Sequence, residues 1–462
     1  MSTDKRDVVV VGGGPAGMAA AWQLRDKDVL LLEQNDVLGG RLKSLSRGGY
    51  WLNLGAHLFP ADGAGSYVRR ILDELDLETL DVPGAKTAMC VGGKVYTNSR
   101  IESYPFALPL TIRERLQLIR AGLIIRLKVM SFLAANRKRV GESEADRRAR
   151  VEGFESHRTF ADLLGKLPGQ VDAIFRTASR RVPGEMDDMS AAAGISIFAG
   201  NWAGKASGAP VNLSGGSGQF GAAVSRRLGD RVVLGAAVSS VRPSGDGAVV
   251  HYETAAGPQT VEARHVIVAT PSPVSSALVQ GIPAEVTKCL GAVAYEPFVS
   301  MAVLTDESDP MPWDDLYAIL TPGKAFNMVF NHANPLRGKS VRASGGSLMC
   351  YAGAELARKM LELSDEEIER RFREDLYELY PQLRNVATEA VVQRWEYGNW
   401  YQTTTSSFAA VLRYSEQPNN VIHFAGDYFA PVSGSVEDAA ASGVKAARSV
   451  AWALDDVVEN AR

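Results

Sequence analysis

Hydrophobic and polar positions alternate in three textures along the chain. Residues 8–11 and 29–32 are short unbroken apolar runs, the pattern of parallel strands covered on both faces. Between them a glycine turn at 12–14 leads into helical spacing at 15–25, the tempo of a strand–helix–strand unit. A short apolar segment, WLNLGAHLF, follows Gly49. From Ala64 to about Val182 the spacing is mostly helical, most clearly at 113–140 and 159–182, with the polar linker GESEADRRARVEG between, and predicts a separate helical layer.

Strand texture returns at Gly215, with a glycine turn, the pair VVLGAAVSSVRP and AVVHYET, and the buried run HVIVATP. Residues 295–351 are strand-rich, and SDEEIERRFREDLYELYP predicts an amphipathic helix with Ser364 as N-cap and acids in its first turn. The chain closes with VIHFAGDYF and a helix starting near Val436, and shows no internal repeat.

These elements predict an α/β fold in which a Rossmann-like nucleotide domain is assembled from discontinuous segments, 1–63, 206–290 and 396–462. An α+β substrate-binding domain fills the rest, with a helical insertion at 64–205 and a sheet and helix at 291–395. A length of 462 residues suits such a division.

Composition changes this picture little. A net charge of -3 supplies no global field for nucleic acid, which is set aside as a partner. Cys90, Cys289 and Cys350 are too scattered for a disulfide framework or a paired-ligand metal site. The first residues run from a short charged start into a strand without a signal-peptide pattern, so a cytoplasmic location is expected. No uninterrupted apolar stretch approaches the ~18 residues of a spanning helix.

The chemistry begins at the glycine turn. Gly12, Gly14 and Gly17 form GxGxxG between a strand and a helix, where the glycines serve the tight turn, backbone approach to a pyrophosphate, and close helix packing. Pro15 and Ala16 open that helix, whose free N–H groups and positive dipole end attract phosphate. Glu33 ends the second strand, where an acid grips a ribose diol. This fingerprint alone fits NAD and FAD equally, since both carry the same ADP moiety.

The residues that follow distinguish them. The run LEQNDVLGGR, with Gln34 after the acid and Gly39, Gly40 and Arg41 at its end, resembles the paired-glycine and arginine segment of the flavin-containing amine oxidase, protoporphyrinogen oxidase and phytoene desaturase-like family of FAD oxidoreductases. The resemblance places Gly39, Gly40 and Arg41 beside the pyrophosphate and ribityl chain. LNLGAHLF resembles the segment that passes the flavin ring, and so implies Gly55, Ala56 and His57 near the ring. RVVLGAAVSSV, followed by ARHVIVATP, resembles the section that contacts adenine, through Val238. HFAGDYFAPVSGSVEDAAASGVKAARSVA resembles the C-terminal flavin motif, FAGD and then G-x-x-E-x-A at a helix start. Gly426 and Asp427 are thereby assigned to the ribityl or phosphate region, and Ser435 and Val436 to backbone contacts with the pyrimidine edge. A helix N-terminus aimed there stabilises charge on a reduced flavin.

The substrate half of the family pattern is incomplete. No cysteine follows Cys350, which implies non-covalent FAD. No lysine lies between Lys288 and Lys324, and Met301 sits near the place where many amine oxidases carry one. Trp400 or Tyr401 is expected to form one aromatic wall for a substrate nitrogen, while Ser435 occupies the position of the second ring. His57 is the histidine expected to titrate beside the flavin.

The implied function is an FAD-dependent oxidoreductase taking hydride from a C–H bond of a small or medium organic substrate onto flavin N5, by amine oxidation or by ring or C–C dehydrogenation. The substrate is expected to be lipophilic, with oxygen or another compound as electron acceptor. A redox-neutral flavin mutase or isomerase, and a non-catalytic partner-binding member of the fold, stay open, as does homodimerisation. The helix at 110–140 carries Arg113, Arg115, Arg120, Arg126, Lys128, Arg137, Lys138 and Arg139 against Glu114. It reads either as a solvated face over an apolar stripe or as a weak contact with an anionic membrane surface.

Overall fold

Valine-rich Asp4–Val11 pairs in parallel with Val29–Leu32 on one side and with Gly257–Val268 on the other, so that Val8 lies opposite Val29 and His265. Ile422–Phe424 joins Gly257–Val268 in parallel, and Val232–Val233 extends the far edge beyond Val29–Leu32. Ala237–Ser244, Gly247–Thr254 and Gly257–Val268 form an antiparallel meander in the same sheet. One sheet therefore gathers strands from the start, middle and end of the chain, with Val8 to Val11 almost fully buried. The structure is a computed structural model, and it describes residues 4–60, 65–82, 87–98, 100–182, 184–200, 202, 210–337 and 343–460. The expected boundaries at 63/64 and 205/206 lie outside the described residues.

Helix Pro15–Gln23 crosses Val436–Asn460 through small side chains, Ala16, Ala19, Ala439, Ala440 and Ala447 among them. A Cβ on Gly443 would lie 2.0 Å from the Ala16 carbonyl oxygen, so the two backbones meet where neither has bulk. This contact fixes the C-terminal helix against the glycine turn.

A second sheet runs in the order Ala387–Trp400, Tyr295–Thr305, Gly346–Gly353, Met328–Asn331, Ala318–Leu320, Thr87–Val91, Lys94–Asn98. One face packs Val299, Met301, Val303 and Cys350 under helix Asp365–Leu379, through Ile368, Phe372 and Leu376. Ser364 caps that helix by accepting from the Glu367 N–H. The expected domain boundary at 395/396 falls inside the strand Ala387–Trp400.

The region expected to be helical from 64 to 205 contains strands. Thr87–Val91 and Lys94–Asn98 form a hairpin on the edge of the second sheet, turning at Gly92 and Gly93, whose φ angles are +58° and +75°. Two adjacent left-handed glycines are the signature of a type I′ turn, a local signal that outweighs the helical spacing on either side. Beyond it the helices hold: Ile112–Asn136 starts in a capping box between Thr111 and Glu114 and buries Leu118, Ala121, Ile125, Val129 and Phe132 against a cluster that includes Phe160 and Ile195.

Candidate active site

At the nucleotide end, each glycine of the turn meets a different constraint. Gly12 has φ +99° and donates its N–H to the Leu32 carbonyl at 2.8 Å. A Cβ on Gly17 would stand 1.8 Å from the Gly12 oxygen, so Gly17 lets the helix sit on the turn. Gly14, at φ -72°, is different, because a Cβ there would meet no heavy atom within 4 Å. Its bareness serves open space at the helix N-terminus and not protein packing. Gly40, exposed and at φ +54°, closes over it, its Cβ position 3.1 Å from the Gly14 Cα. Gly39 is tied in by its N–H to the Gly13 carbonyl at 2.8 Å.

Glu33 is buried at the strand end and accepts from the Gly13 N–H at 2.6 Å and the Asn35 N–H at 2.9 Å. Gly13 was not among the residues singled out from sequence; a Cβ on it would press within 2.4 Å of Leu38. Gln34 is exposed beside it, and Val238 is half-buried on a strand whose lead-in runs along Glu33, with the Ala236 N–H bonded to the Glu33 carbonyl at 2.8 Å. A bare N-terminal turn with room in front, an acid at the neighbouring strand end and apolar Val238 nearby fit the ADP half of a dinucleotide.

Next to this cradle in the chain, Pro15 lines a cavity of about 320 Å³ that runs along Arg41 and Gly55, Ala56 and His57 to Gly434, Ser435 and Val436. Gly55 is pinned to the paired-glycine segment, since its Cβ would lie 2.1 Å from the Arg41 oxygen and the Ala56 N–H bonds that same oxygen at 2.9 Å. Arg41 donates from Nη1 to the Gly398 carbonyl at 2.8 Å and to Asp427 at 3.0 Å. The buried Asp427 also accepts from the Tyr295 hydroxyl at 3.1 Å. Its charge is therefore answered inside the protein, and Arg41 retains donors for an anion. Gly426 sets this aspartate up: its N–H bonds Ser442 Oγ at 2.9 Å, and a Cβ would strike the Tyr428 ring. Ser435 caps the final helix, its Oγ accepting from the Asp438 N–H at 3.2 Å, which leaves the positive end of that helix facing the cavity.

The opposite wall comes from the second sheet. Phe298, Phe330, Met349, Tyr351 and Trp395 line the cavity, with Phe298 edge-on to Tyr351 at 5.2 Å and Phe330 stacked on Tyr351 at 5.8 Å. The Leu54 carbonyl accepts from Ser300 Oγ at 2.6 Å and Trp395 Nε1 at 2.8 Å, which locks the ring-side segment to this sheet. Arg181 stands at the margin beside Tyr351.

Trp400 and Tyr401, expected as an aromatic wall, do not line this cavity. Trp400 is buried under the first sheet and donates its Nε1–H to the Asp427 carbonyl at 2.8 Å. Tyr401 packs into the helical layer, with its hydroxyl 3.4 Å from Glu296. The aromatic wall instead uses residues from four strands of the second sheet. Met301, read as occupying a lysine position, points to the opposite face of its strand, and Ser300 is the cavity-facing neighbour. A period of two was the available signal: Phe298 and Ser300, and Met349 and Tyr351, are i, i+2 pairs.

His57 lies in the wall with its Nδ1 3.1 Å from the Gly55 carbonyl. A carbonyl only accepts, so Nδ1 carries the proton and Nε2 is a bare acceptor. Burial pushes the imidazole down to about 4, against the opposing bond to Gly55, and holds it neutral. Fully buried His332 packs edge-on against it at 4.6 Å, and its own titration is driven well below the ordinary value by burial and by His57.

The chain matches the model of the flavin containing amine oxidoreductases over residues 15–451. It is 25% identical to the flavin-containing amine oxidase B of Rattus norvegicus over 494 aligned positions, covering 99% of this chain and 88% of that protein. A local match, 45% identical, covers 16% of this chain and 24% of the thiamine thiazole synthase of Aeropyrum pernix. Among solved structures, putrescine oxidase bound to putrescine superposes with a TM-score of 0.74 at 20% identity, and cyclohexylamine oxidase from Brevibacterium oxydans IH-35A with 0.74 at 18%, each over 97% of this chain and 99% of the other. The two structures share the fold.

Proposed function

This chain belongs to the flavin-containing amine oxidoreductase family, and from that premise we propose that it holds FAD non-covalently and oxidises a small, largely apolar monoamine at the C–H bond next to nitrogen. The observation that carries this reading is the cavity that runs from Pro15, the first residue of the helix that Gly14 caps, to the aromatic wall of Phe298, Phe330, Tyr351 and Trp395. Bound FAD supplies the hydride acceptor, with oxygen or another compound reoxidising it. Gly14, Gly40 and the Pro15 helix end hold the pyrophosphate, Glu33 the ribose, and Arg41 with Asp427 the segment between. The N-terminus at Val436 stabilises negative charge at the end of the cavity. Non-covalent attachment is supported by Cys90, Cys289 and Cys350 lying away from the cavity lining.

An amine gives up hydride as the free base. Apolar walls disfavour its ammonium form by desolvation, and Arg181 at the margin acts in the same direction. Neutral His57 adds no charge against either. Among the described residues the acid lining this cavity is Asp427, which Arg41 already answers. A diamine dication such as putrescine finds no acid for its second end, so discrimination against it is expected.

The test is anaerobic mixing with benzylamine, cyclohexylamine and putrescine. Bleaching of the visible flavin band by the monoamines, with putrescine slower by tenfold or more, supports the proposal. Bleaching by putrescine alone would refute the substrate class. The same apolar wall also suits ring or C–C dehydrogenation, which becomes the better reading if amines leave the flavin coloured and a cyclic ketone or polyene bleaches it.

A further inference from the structure

Helix Ile112–Asn136 is apolar on two opposite faces. Leu118, Ala121, Ile125, Val129 and Phe132, at spacings of three and four, face the core. On the far side Ile112, Leu116, Leu123, Leu127 and Met130 are 78%, 61%, 56%, 69% and 56% exposed. At about 100° per residue these outer positions fall within roughly 60° of the helix circumference, a straight stripe along a rod of about 37 Å. Exposed Phe106 precedes it and fully exposed Val140 follows. A soluble surface helix has one apolar stripe, the one it buries, and exposed large side chains in line are the mark of an interaction surface.

The charges beside the stripe are of one sign. Arg113 and Arg120 flank one side and Arg126 the other, with Arg137, Lys138 and Arg139 at the C-terminal end, all exposed. Arg113, Arg126 and Arg137 form no salt bridge among the described residues. Glu114, the acid of this helix, is turned back into its capping box. Pairing of two copies through this stripe would bring Arg113, Arg120 and Arg126 of one copy against those of the other, three cations against the single acid Glu102 that interacts with Arg126. An anionic surface turns the same charges into attraction, while leucines enter the acyl boundary and arginines stay at headgroup level. No described helix is long and apolar enough to cross a membrane, so the geometry is that of a helix lying in the interface.

We propose that the Ile112–Asn136 stripe docks this protein onto an anionic phospholipid bilayer, with Leu116, Leu123 and Leu127 inserted and Arg113 and Arg126 against the headgroups. The proposal is independent of the substrate reading, because none of these residues lines the cavity.

Co-sedimentation of the flavin-loaded protein with phosphatidylcholine vesicles, with and without about one third phosphatidylserine, tests it. Binding to the anionic vesicles is expected, weakened at least tenfold by the double substitution Leu116→Glu and Leu127→Glu. Arg113→Gln and Arg126→Gln should each weaken it about fivefold. All four side chains are exposed, so melting temperature and flavin spectrum should be unchanged, which separates lost docking from lost folding. Absence of binding to the anionic vesicles overturns the proposal, as does binding that the double substitution leaves intact. Sedimentation velocity without lipid supplies the remaining arm: a monomer supports the proposal, and a dimer that Leu116→Glu dissociates assigns the stripe to a second copy and overturns it.

Discussion

Replacing Gly14 by aspartate should produce a well-folded protein without flavin. Gly14 is the N-cap of Pro15–Gln23, at φ -72° and ψ -179°, an extended conformation open to any residue. Aspartate is among the best N-caps and glycine is only a few tenths of a kcal/mol poorer, so the change should leave stability alone or raise it by about that much. No heavy atom lies within 4 Å of the new Cβ. The space it enters is the space assigned to the pyrophosphate, and its carboxylate adds a like charge there. One pair of unit charges at about 4 Å and an effective dielectric near 20 repels by about 4 kcal/mol, or roughly a thousandfold in flavin affinity. Gly17→Ala is the control, because its Cβ would lie 1.8 Å from the Gly12 oxygen and must move backbone, costing about 1–3 kcal/mol or more. The assay pairs the visible flavin absorbance of purified protein with the melting temperature of apoprotein. Gly14→Asp with full flavin occupancy would refute the assignment of this space to the pyrophosphate, and Gly14→Asp apoprotein melting as early as Gly17→Ala would refute the claim that the space is free of protein.

Three further outcomes follow from particular contacts. His57 and His423 are each pushed down to about 4 by burial, and His332 shifts the same way, so below an unfolded value near 6.5 the unfolded chain binds protons that the folded chain does not. Stability is then full above about pH 7 and falls toward pH 4; His57 alone contributes a loss of about 2 kcal/mol at pH 5. Urea midpoints across this range should fall less steeply for His423→Asn, and an unchanged slope would count against the buried-neutral assignment. Arg41→Met strands buried Asp427 and should cost about 3–5 kcal/mol, with Asp427→Asn on the same chain recovering at least half, as read by urea unfolding of apoprotein; simple additivity would show that the pair is not coupled. Glu437 accepts from Ser66 Oγ and from the Tyr67 and Val68 N–H groups, so Glu437→Gln should lower apoprotein stability by about 1–2 kcal/mol while flavin occupancy stays complete.

That third contact also shows where sequence reading was strong and where it stopped. The acid of the C-terminal G-x-x-E-x-A pattern was visible as part of a motif, but its partners lie some 370 positions away at the start of Tyr67–Glu74. The glycine turn was legible because its constraints are local: Gly12, Gly17 and Glu33 interact within one strand–helix–strand unit. Helix Asp365–Leu379 was legible for the same reason, with its cap and apolar spacing in one window. The hairpin at 87–98 was hidden although Gly92 and Gly93 marked it, since flanking helical spacing dominated a long window. In the basic helix the outer apolar stripe is hard to see in the sequence, because two stripes on opposite faces nearly cancel in any periodic measure of amphipathicity.

The substrate wall raises a different difficulty, one of facing and not of identity. In a strand a one-residue step exchanges the two sides of the sheet. Met301 and Ser300 are adjacent, yet one packs beneath helix Asp365–Leu379 and the other bonds the Leu54 carbonyl beside the cavity. Cys350 is separated in the same way from Met349 and Tyr351, which puts the thiol on the helix side and the phenol on the cavity side. Trp400 and Tyr401, which the family resemblance puts forward as one wall, are both committed to packing between layers, as large buried aromatics usually are. The wall is built where facing agrees across strands: Phe298 and Ser300 on one, Met349 and Tyr351 on the next, Phe330 beyond, Trp395 on the other side. Such agreement needs register between segments far apart in the chain. A cofactor cradle can be written in forty consecutive residues, whereas the surface that selects the substrate exists only once the sheet has assembled.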